Sequence, residues 1–421
     1  MELKPGYKQT EVGAVPEEWN VVAFSDLFDF RNGVNASKES YGRGIPFVNV
    51  LEIITKGHLK VSDVPGKVSL TKGAIDLYTV RCGDLLFNRT SETQEEVGLA
   101  AAYLDDEPAV FGGFVIRGRP RNANLDATFS GYAFRSPSIR AQIIARGQGA
   151  IRANVGQGDL RTVLAALPPL PEQCGIAEAL SDADALIESL EHLLTKKRQI
   201  KQGAMQESLR GKKRLPGFSG GWEVKRLGDT AILKARIGWQ GLTTVEYRDS
   251  GDYYLVTGTE FRDGRVDWNT CHYVNESRYK QDKHIQLKER DVLVTKDGTI
   301  GKVALVTNLF RPATLNSGVF VIRPIEGAFD PEFLYHLLSS SVFTEFLVQL
   351  SAGSTINHLY QKDFVGFVYR TPPTIEEQTA IAAILSDMDA EIDVLKAKLT
   401  KARQLKRGMM QELLSGRIRL V

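Results

Sequence analysis

One long segment of this chain occurs twice, and that repeat constrains the fold more than any other feature. The segment LSDADALIESLEHLLTKKRQIKQGAMQESLRG runs from residue 180 to 211, and LSDMDAEIDVLKAKLTKARQLKRGMMQELLSG runs from 385 to 416. At a constant offset, residues 173–215 and 378–420 are identical at 24 of 43 positions. A repeat of this length indicates two copies of one structural unit within the 421-residue chain.

Both copies have the apolar pattern of a long helix. Apolar residues recur at alternating steps of four and three, which is the spacing of a coiled-coil seam. Gly203 and Gly408 lie inside the pattern, where they are expected to bend or interrupt the helices, and Gly211 and Gly416 stand where a helix would end. We predict two helices of about 38 residues, each about 57 Å long. The predicted seam residues are Ile176, Leu180, Ala183, Ile187, Leu190, Leu194, Ile381, Leu385, Met388, Ile392, Leu395 and Leu399.

The segments that precede the two helices also resemble each other, though more weakly. The stretch GGFVIRGRP at residues 112–120 matches SGVFVIRP at 317–324, and residues 147–160 match 351–364. The stretches between these anchors differ, which indicates one mixed α/β scaffold that carries two different sets of loops. The sequence therefore predicts globular domains at residues 1–168 and 213–371, with helical segments at 169–212 and 372–421.

The order of these segments predicts how the helices pair. The second helix begins next to the second globular domain, so it must run back along the first helix to bury its seam. We therefore predict an α+β protein in which two mixed α/β domains are joined by two long antiparallel coiled-coil helices. The duplication predicts a pseudo-twofold internal repeat, with one globular domain at each end of the helix pair.

Composition places the chain among ordinary globular proteins. It is 43% hydrophobic and 25% charged with a formal net charge of +2, so nucleic-acid binding would depend on local basic surfaces. No apolar run approaches the ~18–20 residues that span a bilayer, and the N-terminus lacks the apolar stretch of a secretory signal. Three scattered cysteines without metal-binding spacing favour a reducing cytoplasm and no bound metal.

The motifs that would indicate catalysis are absent from the sequence. Residues 298–302 resemble part of a phosphate-binding loop, but the spacing is wrong and Val303 stands where a Ser or Thr is needed. No G-x-G-x-x-G follows a predicted strand, and the six histidines form no evident pattern with carboxylates or cysteines. We therefore expect a non-catalytic chain. Two alternatives stay open, namely a scaffold that grips two protein partners without contacting DNA and an enzyme with an unrecognised site.

Across essentially its whole length, the chain resembles the specificity subunits of type I restriction–modification enzymes. Its second domain opens with the family's W-x-V-x-x-L-G-D motif at residues 222–229 and contains the typical K-D-G-T-I-G-K run at 296–302. The first domain departs from that run and reads NRTSETQEEVG at residues 88–98. The strongest resemblance lies in the duplicated helix motifs at Pro169–Asp184, Met205–Gly211, Pro373–Asp389 and Met409–Gly416.

This resemblance implies a function in DNA recognition. Each globular domain would be a target-recognition domain that binds one half of a bipartite, asymmetric site on double-stranded DNA. The helices would set the spacer between the halves and dock two methyltransferase subunits, with two restriction subunits as further partners. S-adenosylmethionine, ATP and Mg²⁺ are expected on those partner subunits, where adenine N6 methylation and ATP-driven cleavage occur, and not on this chain. The family also implies a prokaryotic cytoplasm.

Candidate DNA-binding residues follow from the side chains that recognise bases and phosphates, which are mainly Arg, Lys, Asn, Gln, Ser and Thr in loops. Basic residues also recur on both helices, where they would follow spacer phosphates, contact partner subunits or simply face solvent. These are Lys196, Lys197, Arg198, Lys201, Lys401, Arg403, Lys406 and Arg407. The loop candidates are Arg89, Arg152, Asn154, Lys296, Thr299, Ser354 and Asn357.

Overall fold

The two repeats belong to two units of the folded chain. A computed structural model describes residues 5–149, 152–351 and 358–420. The first unit takes the chain up to Glu191 together with the segment from Lys398 onward, and the second unit runs from His192 to Ala397. Each unit thus holds one globular domain and part of both long helices. We call the globular parts domain 1 (residues 20–167) and domain 2 (residues 223–371).

Domain 1 is built on two mixed sheets whose strands are rich in Val, Ile, Phe and Ala. One parallel pair, between the last two strands of the larger sheet, joins an otherwise antiparallel set. Among the described residues this sheet has the order Phe28–Asn32, Val115–Pro120, Leu85–Asn88, Ala100–Tyr103, His58–Leu59. The smaller sheet has the order Lys67–Val68, Tyr41–Val48, Ala109–Phe111, Thr79–Val80.

Short helices cover these sheets and complete a core of aromatic side chains. Phe24, Phe28, Phe87 and Phe134 are fully buried, with neighbouring ring centroids 5.1–6.3 Å apart. Helices in the described part of domain 1 are Phe24–Leu27, Val50–Thr55, Lys72–Tyr78, Ala127–Ala133, Pro137–Arg146 and Gln157–Arg161, with 3₁₀ turns at Lys38–Ser40 and Val61–Asp63. Further two-stranded pairs are Tyr7–Thr10 with Gly13–Pro16 and Thr90–Ser91 with Ala153–Asn154.

Domain 2 has the same arrangement of a larger and a smaller sheet, built from strands and helices of different lengths. Its larger sheet again combines antiparallel neighbours with one parallel pair. Within the described ranges the order is Ala231–Lys234, Val319–Pro324, Val292–Thr295, Val303–Leu305, Arg265–Val266, Phe261–Arg262. The smaller sheet is His272–Val274, Tyr253–Val256, Ala313–Leu315. The helices are Leu227–Thr230, Glu276–Lys280, Pro331–Leu338, Ser341–Ser351 and Gln361–Phe364, with 3₁₀ turns at Gly238–Gln240, Thr244–Glu246, Trp268–Thr270 and Lys283–Ile285.

Each domain is closed where the chain enters and leaves it. In domain 1 the strand Asn20–Ala23 pairs antiparallel with Leu164–Leu167, and in domain 2 Glu223–Arg226 pairs with Val368–Thr371. The first residue of each entering strand lies opposite the last residue of the leaving strand. The two ends of each domain are therefore held side by side at the point where its long helix begins.

The two long helices form as predicted, at Leu170–Ser208 and Ile375–Leu413, with 39 residues each. Both run without interruption through Gly203 and Gly408, so the expectation of a break at these glycines is wrong. A Cβ added at either glycine would meet no other heavy atom within 4 Å, so close packing does not require glycine there. The hydrogen bonds of the flanking turns outweigh the roughly 1 kcal/mol that glycine costs inside a helix.

Each long helix ends at a glycine, as the sequence predicts. Gly211 has φ +67° and Gly416 has φ +70°, a conformation that side chains disfavour. In both cases the amide of the next residue donates to the carbonyl four residues before the glycine, at 3.0 Å. This arrangement is a Schellman motif, and it satisfies carbonyls that the helix end leaves without partners.

The seam residues lie on the covered faces of the helices. Eight of the twelve are buried, and Ala183, Ile187, Leu190 and Met388 are half-buried. In the first unit Ile176 and Leu180 share a core cluster with domain 1 and with the end of the second helix, residues 409–414. In the second unit Ile381 and Leu385 share a cluster with domain 2 and with the end of the first helix, residues 204–209. Because the start of each helix packs beside the end of the other, the pair is antiparallel.

Ion pairs join the same helices in the same orientation. Asp184 contacts Lys406 at 2.5 Å in the first unit, and Asp389 contacts Lys201 in the second. The two acids and the two lysines are separated by the repeat offset of 205 residues, so one interaction has been duplicated. Exposed ion pairs add little stability, but the buried apolar seam beside them contributes about 1.5–3 kcal/mol for each large side chain.

Candidate nucleic-acid interface

A buried arginine–carboxylate contact fixes the start of each long helix. In the first unit Glu172 is buried and its Oε2 lies 2.9 Å from Nη2 of Arg419 and 3.0 Å from Nε1 of Trp19. In the second unit the equivalent Glu377 is buried and its Oε1 lies 2.9 Å from Nε of Arg214. The hydrogen bonds that Arg419 donates to the carboxylate of Glu172 raise the pKa of Arg419 above its usual value. Each arginine follows the end of one helix and binds the start of the other.

The neighbouring glutamine attaches each globular domain to its helix. Oε1 of Gln173 accepts a hydrogen bond from the backbone N–H of Asp126 at 2.9 Å, and Oε1 of Gln378 accepts one from Asp330 at the same distance. Both aspartates are N-caps of equivalent domain helices. The duplicated Glu-Gln pair therefore has a structural role, namely to hold a domain against the helix pair.

The loop that follows the third strand of the larger sheet occupies the same place in both domains. In domain 1 the N–H of Arg89 donates to the carbonyl of Phe114 at 2.8 Å, and in domain 2 the N–H of Lys296 donates to Gly318 at 2.9 Å. The carbonyl of Arg89 accepts a hydrogen bond from the N–H of Val155 at 3.0 Å. The carbonyl of Lys296 accepts one from the N–H of Leu359 at 2.9 Å. The backbone at the start of both loops is therefore held by the same pattern of hydrogen bonds.

In domain 1 the structure brings the three predicted residues together. The strand pair Thr90–Ser91 and Ala153–Asn154 joins the loop after Arg89 to the segment that holds Arg152 and Asn154. Thr90 Oγ1 donates to Asn154 Oδ1 at 2.7 Å, and Arg152 lies 3.8 Å from the exposed Glu92. A shallow cavity of about 190 Å³ lies beside them, and its lining includes the exposed ring of Phe114. Cationic, amide and aromatic groups on one surface suit contact with a nucleic acid.

In domain 2 the predicted residues are placed differently. The ammonium of Lys296 lies 5.4 Å from the centre of the buried Phe320 ring, so it points back toward the domain. Thr299 is exposed on the turn, and its carbonyl accepts a hydrogen bond from Thr295 Oγ1 at 2.5 Å. Ser354 and Asn357 lie outside the residues that the structure describes.

The sequence predictions missed described side chains that lie at or beside this turn. Asp297 contacts Nδ1 of His358, the ring of Tyr360 lies 4.5 Å from that imidazole, and the ammonium of Lys362 lies over Tyr360 at 5.6 Å. The signal was present in the alignment of residues 147–160 with 351–364, which sets His358 opposite Asn154.

A second duplicated ion pair lies at the start of the third strand in each domain. Arg119 holds the buried carboxylate of Asp84 with contacts of 2.7 and 2.8 Å, and Arg323 holds Asp291 with contacts of 2.6 and 2.7 Å. Asp84 raises the pKa of Arg119, while burial lowers the pKa of the adjacent Arg117 to about 10. Both carboxylates also accept a backbone N–H in the turn that enters the third strand, so the pair fixes the start of that strand in both domains.

The basic residues of the helices divide into two groups. Within the second unit Lys197 and Lys201 pair with Glu391 and Asp389, and within the first unit Arg403 and Lys406 pair with Glu191 and Asp184. These four residues therefore join the helices to each other. Lys196, Arg198, Lys401 and Arg407 are exposed.

The helix surface also carries apolar side chains that no domain covers. Leu186, Leu193 and Ile200 recur every seven residues on the first helix, and each is 40–52% exposed. In the second unit an open groove of about 590 Å³ is lined by Leu193 and Ala390, with Val394 from the second helix beside them. An exposed apolar stripe on a helix indicates a surface for a protein partner.

Two other site classes find no support within the described part of the chain. No group of three or more His, Cys, Asp or Glu residues there is placed to hold a metal ion. Over the same residues, no helix is both long and apolar enough to cross a membrane.

This chain belongs to the family of type I restriction modification DNA specificity domains, whose family profile matches it twice, at residues 16–202 and 219–404. The two matches coincide with the two copies of the domain-and-helix repeat. The chain is accordingly a specificity subunit, and the antiparallel helix pair with its two mixed α/β domains is the expected architecture.

Known proteins resemble the chain over nearly its full length. The type I restriction enzyme MjaVIII specificity subunit of Methanocaldococcus jannaschii is 23% identical over 442 residues, which cover 98% of this chain and 96% of that protein. The crystal structure of the type I restriction–modification system S subunit from M. genitalium superposes with a TM-score of 0.60 at 16% identity, covering 98% of both chains. A chain from a structure of type I R-M complex assembly superposes with a TM-score of 0.56 at 17% identity, covering 96% and 99%. At these identities the structural matches show a shared fold.

Proposed function

We propose that each globular domain recognises one half of a bipartite, asymmetric DNA site for a type I restriction–modification complex. The observation that carries this proposal is the pair of equivalent loops, which share backbone hydrogen bonds but not side chains. A common scaffold with unlike polar groups suits two related binding tasks on two different base sequences.

In this proposal the loop residues contact base edges and phosphates. Domain 1 contributes Arg89, Arg152 and Asn154, which the structure brings onto adjacent segments. Domain 2 contributes Thr299 from its exposed turn. Lys296 would have to leave the Phe320 ring to reach a phosphate, so its contribution is the weakest of the set.

We further propose that the helix pair sets the spacer and docks two methyltransferase subunits. Each helix of 39 residues is about 59 Å long, which exceeds the ~34–36 Å of one DNA turn. The exposed apolar residues Leu186, Leu193, Ile200 and Val394 would meet the partner subunits. The exposed Lys196, Lys401 and Arg407 are left for phosphates or acidic partner surfaces.

The chemistry of the complex belongs to other subunits in this scheme. The methyltransferase subunits would hold S-adenosylmethionine, and the restriction subunits would use ATP and Mg²⁺. This chain contributes recognition and assembly, through polar loops on rigid sheets and through the helix surface.

Exchange of the two domains tests the proposal. Residues 20–167 and 223–371 begin and end on the paired strands that close each domain, so an exchange preserves those pairings. The exchanged chain, combined with its methyltransferase partner, is expected to modify a site whose two halves are in reversed order. The measurement is sequencing of methylated bases in the modified DNA. A folded exchanged chain that modifies the original sequence would contradict the proposal, as would wild-type binding to DNA without sequence preference.

A further inference from the structure

One pair of side chains occupies the same point in both domains and differs in chemistry. Directly after Arg89, Thr90 hydrogen bonds with Asn154, and directly after Lys296, Asp297 contacts His358. The partners are 64 and 61 residues apart in the chain, so each pair joins the loop to the same returning segment. Because the residues before the two pairs make backbone hydrogen bonds to corresponding segments of their domains, the pairs are equivalent positions.

The domain 1 pair presents an amide at the surface. Asn154 is exposed, its Oδ1 accepts from Thr90, and its Nδ2 donates to the carbonyl of Arg152 at 3.0 Å. An amide has two donor hydrogens and two acceptor lone pairs, so one donor and one acceptor remain beyond these bonds. That combination matches adenine, which offers N7 as acceptor and N6 as donor in the major groove.

The domain 2 pair presents an imidazole held by a carboxylate. Nδ1 of His358 faces Asp297, so the proton on Nδ1 is directed to the carboxylate and Nε2 is the ring nitrogen left for other contacts. The side chains of Asp297 and His358 are 42% and 29% exposed. The Tyr360 ring supports the imidazole, whereas domain 1 has Gly156 at the equivalent position. In the tautomer protonated at Nδ1, Nε2 and the carboxylate of Asp297 are both acceptors, and they suit a base that carries an exocyclic amino group, as cytosine does at N4.

We propose that these two pairs are equivalent specificity-determining positions, with Thr90–Asn154 selecting adenine and Asp297–His358 selecting an amino-bearing base, cytosine first. The inference rests on the proposed function, since it requires that the loops contact DNA. It adds to that function the residues that decide one base in each half-site and the class of base that each selects.

Reciprocal exchange of the pairs tests the inference. The variant Asp297→Thr/His358→Asn transfers the first pair to domain 2, and Thr90→Asp/Asn154→His transfers the second pair to domain 1. The full-length variants bind a pool of random-sequence duplexes, and the bound fraction is sequenced. Each exchange should change preference at one base position of one half-site by about fivefold to a hundredfold, toward adenine for the first variant and toward cytosine for the second. The other half-site should not change.

A matched control separates recognition from altered composition. Asp249 and His284 are both exposed in domain 2 away from this pair, and Asp249→Thr/His284→Asn makes the same chemical change there. The control should keep the wild-type preference. If wild type enriches a bipartite sequence that neither exchange alters, the pairs do not determine specificity and the inference is overturned. If wild type enriches no sequence, the proposed function fails first, and the two failures are thus distinguishable.

Discussion

At the scale of single residues, one pair of equivalent positions in the two domains holds side chains of different chemistry. In domain 1 the hydroxyl of Tyr132 contacts Ser181 and Asp184 of the first helix. The corresponding residue of domain 2 is His336, whose Nε2 lies 3.0 Å from Ser386. Both side chains bind the domain to its helix, but only the histidine has an ordinary pKa near neutral pH, which it keeps in the unfolded chain.

Stability should therefore depend on pH through His336. Its side chain is fully buried, and burial, followed by the charge of Lys201, lowers its pKa to about 3. In the unfolded chain this histidine binds a proton near pH 6.5, whereas in the folded chain it stays neutral there. The stability that the neutral, buried His336 contributes is therefore complete above pH 6.5 and is lost as the pH falls toward 3. We expect wild type to lose about 2 kcal/mol relative to His336→Gln between pH 7 and pH 5.

Urea unfolding at both pH values measures this difference. The exposed His284 provides the control, since His284→Gln should unfold in parallel with wild type. Equal pH dependence in wild type and His336→Gln would show that the buried histidine is not the group responsible.

At the scale of elements, the long helices combine two surfaces. One face is apolar and covered by the opposite helix and a domain, which explains why both helices form despite their central glycines. The first helix also keeps Leu186, Leu193 and Ile200 exposed at intervals of seven residues, and the second helix keeps Val394 exposed. Helix pairing alone does not require this second surface, so a partner is its most direct explanation.

A charge placed on the outer face should weaken partner docking. Val394 lines the groove on the helix pair and is 54% exposed, while Val245 is 92% exposed on domain 2. Val394→Asp should reduce co-purification with the methyltransferase subunits at least about tenfold, because it places a charge in an apolar contact. Val245→Asp is the matched control and should leave co-purification unchanged. Normal assembly of the Val394→Asp variant would show that the methyltransferase binds elsewhere.

At the scale of the whole molecule, the chain consists of two copies of one repeat, a globular domain followed by a long helix, and the contacts of the helix pair are duplicated with it. The buried contacts Glu172–Arg419 and Glu377–Arg214 each join the start of one helix to the segment after the other. Within each unit the start of one helix is thus tied to the end of the other, and the proposed spacer role needs such fixed ends.

Lengthening both helices together should lengthen the spacer. Seven added residues preserve the alternating seam and extend each helix by about 10 Å, or about three base pairs of DNA. A chain with this insertion at matching places in both helices should modify a site with a gap about three base pairs longer, measured by sequencing methylated bases. The same insertion in an exposed loop of domain 2 should leave the gap unchanged. An unaltered gap in the helix variant would refute the spacer role.

The sequence alone determined the repeat, the length and ends of both long helices, their antiparallel pairing and the mixed α/β domains. These features depend on local periodicity, on glycine conformations and on the order of segments, all of which are visible along one chain. Only the tertiary structure decided which helix lysines are engaged in ion pairs, what the duplicated Glu-Gln residues bind, and that His358 meets the domain 2 turn. Those contacts join side chains dozens to hundreds of residues apart, and their chemistry depends on distances and burial that no sequence pattern specifies.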